Sequence, residues 1–300
     1  MPRIALIANP RSGKGRGASA TDKAVAALRE AGAQVEVHIG SSAADTRRLV
    51  GIALAEPPDA LVVVGGDGTV SEILPEIAGT EVPMTLVPAG TGNDLARALG
   101  VPRRDPAGAA LLALHGVPRR IDVGEIAAGG RTTPFLTVAA LGFDAKVSDR
   151  TNLLRWPRGA ARYYLAIVIE VVRLRPTRFR LACDGEPLRD APGTLVAVGN
   201  TVSYGGGMPI CPDARLDDGL LDVVHVAPMR RIRLLALFPL LLRGRHLTRP
   251  EVAHRLVREI TVSAPDLVVY ADGERIAEKA CTIRVRPASL TVMVAKGVTA

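Results

Sequence analysis

The chain has 300 residues, 48% of them hydrophobic, enough to bury a large core and to favour two domains over one. Its 38 basic residues outweigh 30 acidic ones, and the net charge of +8 suits an anionic partner such as a nucleotide or an acidic membrane surface. There is no run of about 18 apolar residues to span a bilayer, and an aromatic content of 3% leaves few platforms for stacking bases, so a nucleic-acid partner is not expected.

The cysteines Cys183, Cys211 and Cys281 are odd in number, far apart and without a CxxC pair. That spacing argues against a disulfide framework or a zinc site and for reduced packing residues. The opening segment MPRIALIANP lacks a charged stretch followed by a long apolar one, so a cytoplasmic protein is expected.

In chain order, the run IALIAN reads as a strand, residues 18–31 as a helix, VEVHI as a strand and residues 43–55 as a helix. ALVVV, a helix over Val70 to Ala78, MTLVP and a helix over Asp94 to Leu99 continue the alternation. Strands alternating with helices at short connection lengths predict a Rossmann-like α/β domain with a parallel sheet over residues 1–122. Thr69 with Glu72 reads as a capping box, and Gly32 and Gly100 as helix stops.

From residue 123 onward the texture changes to period-two runs, among them RFRLAC, TLVAVGN, LLDVVHV, EITVSA, LVVYAD and SLTVMVA, separated by Gly, Pro and Asp. They predict a mainly antiparallel β-sandwich over 123–300, interrupted by helices over Ala160 to Leu174 and Arg230 to Leu242. The final residues are expected to pack back on the first domain.

Three glycine-rich turns of the first domain each follow a predicted strand. They are Asn9-Pro10-Arg11-Ser12-Gly13-Lys14-Gly15, Gly65-Gly66-Asp67-Gly68-Thr69 and Ala89-Gly90-Thr91-Gly92-Asn93-Asp94. Ligands of parallel sheets sit at the carboxyl ends of strands, so all three turns converge on one site. Free amides at helix starts, the hydroxyls of Ser12, Thr69 and Thr91 and the charge of Arg11 or Lys14 suit a polyphosphate. Asp67 and Asp94 are then placed to hold magnesium or to orient the nucleotide. Neither GxxxxGK[ST] nor GxGxxG with an acidic residue downstream occurs, which excludes the P-loop and the dinucleotide fingerprint.

NPRSGKG, GGDGTVSEI and PAGTGNDLAR, in this order and spacing, resemble the diacylglycerol kinase catalytic domain shared by bacterial diacylglycerol kinases, sphingosine kinases and, more distantly, NAD kinases. YGGGMPICPDARLDDGLLDVV and YADGE extend the resemblance into the second domain. The resemblance implies a lipid kinase using ATP and Mg2+, with the nucleotide on the first domain and the lipid in the cleft between the two. It implies that Asn9, Arg11, Ser12 and Gly13 line the phosphates and that Gly66, Asp67, Gly68 and Thr69 form the nucleotide loop, with Glu72 beside it. Gly90, Thr91, Gly92, Asn93 and Asp94 complete that loop. By the same resemblance Asp218, with the backbone carbonyls of Arg215 and Leu220, holds a structural magnesium, and Asp272 is the general base.

A carboxylate within reach of an alcohol is the usual proton acceptor in phosphoryl transfer, which supports Asp272 on chemical grounds. Asp184-Gly185-Glu186 repeats its tripeptide, however, and Asp-Gly is also a common hairpin turn. Spacing does not choose between them; the resemblance favours the later copy. Asp213, Asp217, Asp218 and Asp222 crowd one segment, a pattern that solvated surfaces also show.

Arg230, Arg231 and Arg233, then LLALFPLLL, then Arg243, Arg245 and Arg249 make a short apolar centre with basic flanks. Such a segment either dips into an anionic membrane interface or packs as a core helix. Arg155, Arg158 and Arg162 around Trp156 form a second basic patch. The expected partner is thus a lipid substrate at an anionic membrane surface, with peripheral attachment to the inner face, and a homodimer is compatible with the sequence. Another hydroxylated lipid acceptor, such as a sphingoid base or monoacylglycerol, an NAD kinase, and a non-catalytic nucleotide sensor at the membrane are the rival readings.

Overall fold

The computed structural model describes residues 1–10, 12–154, 156–157 and 160–297. Its first half alternates β1 (Arg3–Ala8), α1 (Ser12–Glu30), β2 (Gln34–Ile39), α2 (Ala43–Ala55), β3 (Ala60–Gly65), α3 (Asp67–Ile77), β4 (Met84–Pro88), α4 (Asp94–Ala98) and α5 (Pro106–His115). The four strands run parallel in the order β2-β1-β3-β4. Every residue of β3 is buried, because crossover helices cover both faces of such a sheet. Capping fixes the helix starts locally: the Ser42 hydroxyl accepts from the Asp45 amide, and the Asp105 carboxylate accepts from the Gly108 amide.

The second half comprises β5 (Val117–Ala128), β6 (Arg131–Phe135), β7 (Val138–Gly142), α6 (Phe143–Leu153), α7 (Ala160–Val172), β8 (Arg180–Cys183), β9 (Arg189–Asp190), β10 (Leu195–Gly199), β11 (Leu221–Val226), α8 (Arg231–Leu241), β12 (Val252–Val257), β13 (Glu259–Ala271) and β14 (Glu274–Val294). Its pairings are antiparallel, so the molecule combines a parallel α/β part with an antiparallel β-sandwich.

Two strands join the halves. β5 runs unbroken through residues 122 and 123, and its partner β14 pairs with it from Thr282↔Ala127 to Val294↔Val117. Beyond its pairing with β13, β14 also meets β4 in parallel at Val292↔Met84. Leu290, Val292 and Val294 therefore belong to the same hydrophobic core as β1 and β3. Two larger further cores lie within the sandwich, one on each side of β7 and β10, and a small cluster of Ala140, Ala145 and Tyr270 lies beside them.

The structure corrects several sequence expectations. α3 begins at Asp67 with Gly66 as its N-cap and no side-chain cap, so Thr69 and Glu72 are not a capping box. Asp67 is already helical; Thr69 lies inside the first turn, where its amide bonds Gly66 O at 3.0 Å. α1 begins at Ser12 instead of residue 18, since the first glycine-rich turn folds directly into the helix. α5 and α6 were not anticipated. The first is apolar nearly all round, and the second carries polar residues without a clear periodic stripe.

Candidate active site

The three glycine-rich turns interlock at the carboxyl ends of β1, β3 and β4. A Cβ on Gly13, whose φ is +58°, would stand 1.9 Å from the Ala89 carbonyl oxygen. A Cβ on Gly66 would stand 2.8 Å from Gly90 Cα. Only glycine allows backbones to pass this closely. The Ser12 and Thr69 hydroxyls lie 3.2 Å apart, tying the first turn to the second.

Arg16, which the sequence reading passed over, ties the first turn to the third: Nε donates to Gly13 O at 3.0 Å and Nη2 to Gly90 O at 2.7 Å. Its signal was available, since an arginine one turn into a helix that starts at Ser12 points back at the loop. It was missed because that helix start was misplaced.

Asp67 accepts the amides of Asp94 at 3.1 Å and Leu95 at 3.0 Å, and so caps α4. Burial pushes its carboxyl up, against the pull of these two amides. Asn93 takes the left-handed conformation at φ 53° and donates to Gly90 O at 3.0 Å, lying buried beneath the turn.

Asp94 reaches the sandwich. It accepts the Ser203 hydroxyl at 3.2 Å and the Gly206 amide at 2.7 Å, while Arg97 donates to Gly206 O. Both carboxylates thus organise loops through their own oxygens.

These turns form one wall of a cavity of about 1050 Å³. Asn9, Ser12, Gly13, Gly66, Asp67, Gly68, Thr69, Glu72, Gly90, Thr91, Gly92 and Asp94 all face it. Arg11 lies outside the described residues. Glu72 keeps one buried oxygen without a partner, and burial pushes its carboxyl up.

Asp272 lines the same cavity from the sandwich half, in the two-residue turn between β13 and β14. Its Oδ2 accepts the Leu136 amide at 2.9 Å and the Ser71 hydroxyl at 2.8 Å, and its Oδ1 accepts the Thr137 amide at 2.9 Å and the Thr137 hydroxyl. The second Asp-Gly-Glu copy is elsewhere. Asp184 is exposed and accepts the Arg258 and Glu259 amides.

Beyond Asp272 the wall turns apolar, with Val138, Ile167, Met208, Phe238, Leu242 and Tyr270. A cavity whose one end offers amides, hydroxyls and carboxylates and whose other end is hydrocarbon suits an amphiphile meeting a polar co-substrate.

Asp218, Arg215 and Leu220 lie away from this cavity. Asp218 accepts the Leu220 amide at 3.0 Å. Beneath the turn sits Asp122, missed in the sequence, which accepts the Gly219 and Ala288 amides at 2.7 Å each. Burial pushes Asp122 up, and the nearby charges of Asp218 and Asp217 add to this. Among the described residues no group of three His, Cys, Asp or Glu side chains converges as a metal site.

The fold and cleft define a class: a parallel α/β half with a phosphate-type cradle, closed by a β-sandwich that contributes a carboxylate and an apolar wall. Comparison with known proteins gives it a family. Residues 3–126 match the diacylglycerol kinase catalytic domain, and residues 137–294 match the YegS C-terminal NAD kinase beta sandwich-like domain.

A protein of Mycobacterium tuberculosis named diacylglycerol kinase is 42% identical over 292 residues, covering 97% of this chain and 94% of its own. One of Pseudomonas aeruginosa, named "Probable lipid kinase YegS-like", is 35% identical over 293 residues, covering 95% and 93%. A crystal structure of a diacylglycerol kinase from Bacillus anthracis superposes with a TM-score of 0.74 at 22% identity over 99% of this chain and 98% of that one, a likeness of fold. The chain belongs to the diacylglycerol kinase family of lipid kinases.

Proposed function

We propose that the protein transfers the γ-phosphoryl group of ATP to the free hydroxyl of diacylglycerol, giving phosphatidic acid. The observation that carries this reading is the position of Asp272, held by four hydrogen-bond donors between the glycine-rich wall and the apolar wall. The acyl chains lie against Ile167, Phe238 and Leu242, and the hydroxyl meets Asp272. Asp272 accepts the hydroxyl proton as the acceptor oxygen bonds to the γ-phosphorus. The bond to the bridging oxygen breaks, ADP leaves with the electron pair, and Asp272 returns its proton to solvent.

The described lining of the cavity includes Asp67, Glu72, Asp94 and Asp272 but no Lys or Arg, so this donor set suits a divalent cation arriving with the nucleotide. Magnesium held there would supply charge neutralisation of the phosphates. Asp218 with the Arg215 and Leu220 carbonyls would hold a second, structural magnesium, beside the buried Asp122 carboxylate; Asp217 of the same turn is already paired with Arg119.

Among the described residues no helix is long and apolar enough to cross a membrane. Attachment is instead peripheral. Ile232 is 82% exposed and Leu235 55% on α8, and Trp156 is 77% exposed beside α7. Arg230, Arg231 and Arg243 flank the exposed α8 residues and face anionic headgroups, while Arg233 is paired with Glu251; Arg155 and Arg158 lie outside the described residues.

The test is transfer of labelled phosphate from magnesium–ATP to diacylglycerol, monoacylglycerol, sphingosine and NAD in mixed micelles, with wild type and Asp272→Asn. Label on diacylglycerol that the variant loses is the expected result. Label confined to another acceptor overturns the substrate, and ATP binding without any transfer overturns catalysis in favour of a sensor.

A further inference from the structure

We infer that Ser71 is a positioning residue that sets the Asp272 carboxylate from the nucleotide side of the cleft, a role that rests on Asp272 being the base. Its hydroxyl donates to Asp272 Oδ2 at 2.8 Å across 201 residues of sequence. The other three donors, the two amides of Leu136 and Thr137 and the Thr137 hydroxyl, come from the segment between β6 and β7, within the same half as Asp272. Among the described residues, Ser71 is thus the one donor to this carboxylate from the parallel-sheet half.

The helix it sits on gives that bond its meaning. α3 starts at Asp67, and Gly68 and Thr69 of its first turn face the cavity. Ser71 lies one turn further along, four residues after Asp67, on the same side of the helix. It does not itself face the cavity. A helix rises about 1.5 Å per residue and bends little over one turn, so the phosphate cradle and the Asp272 contact move as one body. The Ser71 bond therefore transmits the position of the donor phosphate to the carboxylate that must meet the acceptor hydroxyl.

Steady-state kinetics with varied ATP, from pH 5 to 9, on wild type, Ser71→Ala, Ser71→Cys, Ser71→Thr and Asp272→Asn test the inference. Ser71→Ala is expected to lower kcat about 10- to 100-fold while leaving KM for ATP within about twofold. Ser71→Thr, which restores the hydroxyl, recovers most of kcat, and Ser71→Cys, close in size but a weak donor, behaves like Ser71→Ala.

Wild-type kcat in Ser71→Ala overturns the inference, as does a Ser71→Cys that matches wild type should Ser71→Ala not fold. If Asp272→Asn turns over like wild type, the assignment of the base fails instead, whatever Ser71 does.

Discussion

The chain contains the tripeptide Asp-Gly-Glu twice, at Asp184 and at Asp272, and both copies fold into the same object. Each is a tight turn with both central residues at positive φ, 46° and 80° in the first and 49° and 88° in the second, although only the second joins its two strands directly. Their surroundings differ completely. Asp184 accepts two backbone amides at an exposed edge, beside a Glu186–Arg255 ion pair. Asp272 accepts four donors, one of them from the other half of the molecule, on the wall of the cleft. Local sequence dictates the turn, and long-range topology alone decides whether its aspartate has chemistry to do.

The sharpest way to break this comparison is to make the same change in both copies. Asp272→Asn should lower kcat about 10²- to 10⁴-fold, the worth of a general base. Asp184→Asn should stay within about twofold, because its amide oxygen still accepts the Arg258 and Glu259 amides. Equal losses in the two variants, measured by phosphate transfer, would remove the distinction.

A third aspartate extends the series from exposed through half-buried to enclosed. Asp144 is buried at the start of α6, and burial pushes its carboxyl up to about 6, against the pull of a hydrogen bond from Tyr204. Between pH 3.8 and about 6 the folded state holds a proton that the unfolded chain has released. Stability therefore falls as pH rises through that window and levels off above it. Asp144→Asn removes the dependence. Its gain over wild type should reach on the order of 3 kcal/mol at pH 7 and vanish near pH 4, as read by thermal or urea unfolding at the two pH values.

The smallest effect isolates the turn from its setting. A Cβ on Gly185 or on Gly273 would meet no atom within 4 Å, so alanine at either position costs only the strain of positive φ, about 1 kcal/mol. Matched losses in unfolding free energy are expected for the pair, with reduced turnover in Gly273→Ala alone. Unequal stability losses would show that the two turns differ in more than location.

Much of this architecture was legible in the residues because it is local. The apolar run Leu61 to Val64 ending in glycines announces a buried strand and a turn, and the period-two runs after residue 123 announce antiparallel strands. What was not legible depends on where a helix begins or on what lies across the cleft. The start of α3 at Asp67 turned an anticipated capping pair into a helical Thr69 in contact with Ser12 and a Glu72 open to the cavity. Asp122 and Ser71 act through partners 97 and 201 residues away, and spacing along the chain carries no trace of such contacts. Two glycine-flanked aspartates were distinguished only by resemblance, since their local sequences are the same.

The final strand has a consequence for biosynthesis. β4 pairs with β3 on one edge, but the neighbour on its other edge arrives only when Val292 reaches Met84, ~200 residues later in the chain. A ribosome that has released the phosphate-cradle half has therefore not yet supplied the strand that closes its sheet. Until residues 290–294 emerge, β4 offers an open edge to any other extended chain nearby, the situation in which nascent proteins recruit holdase chaperones or aggregate.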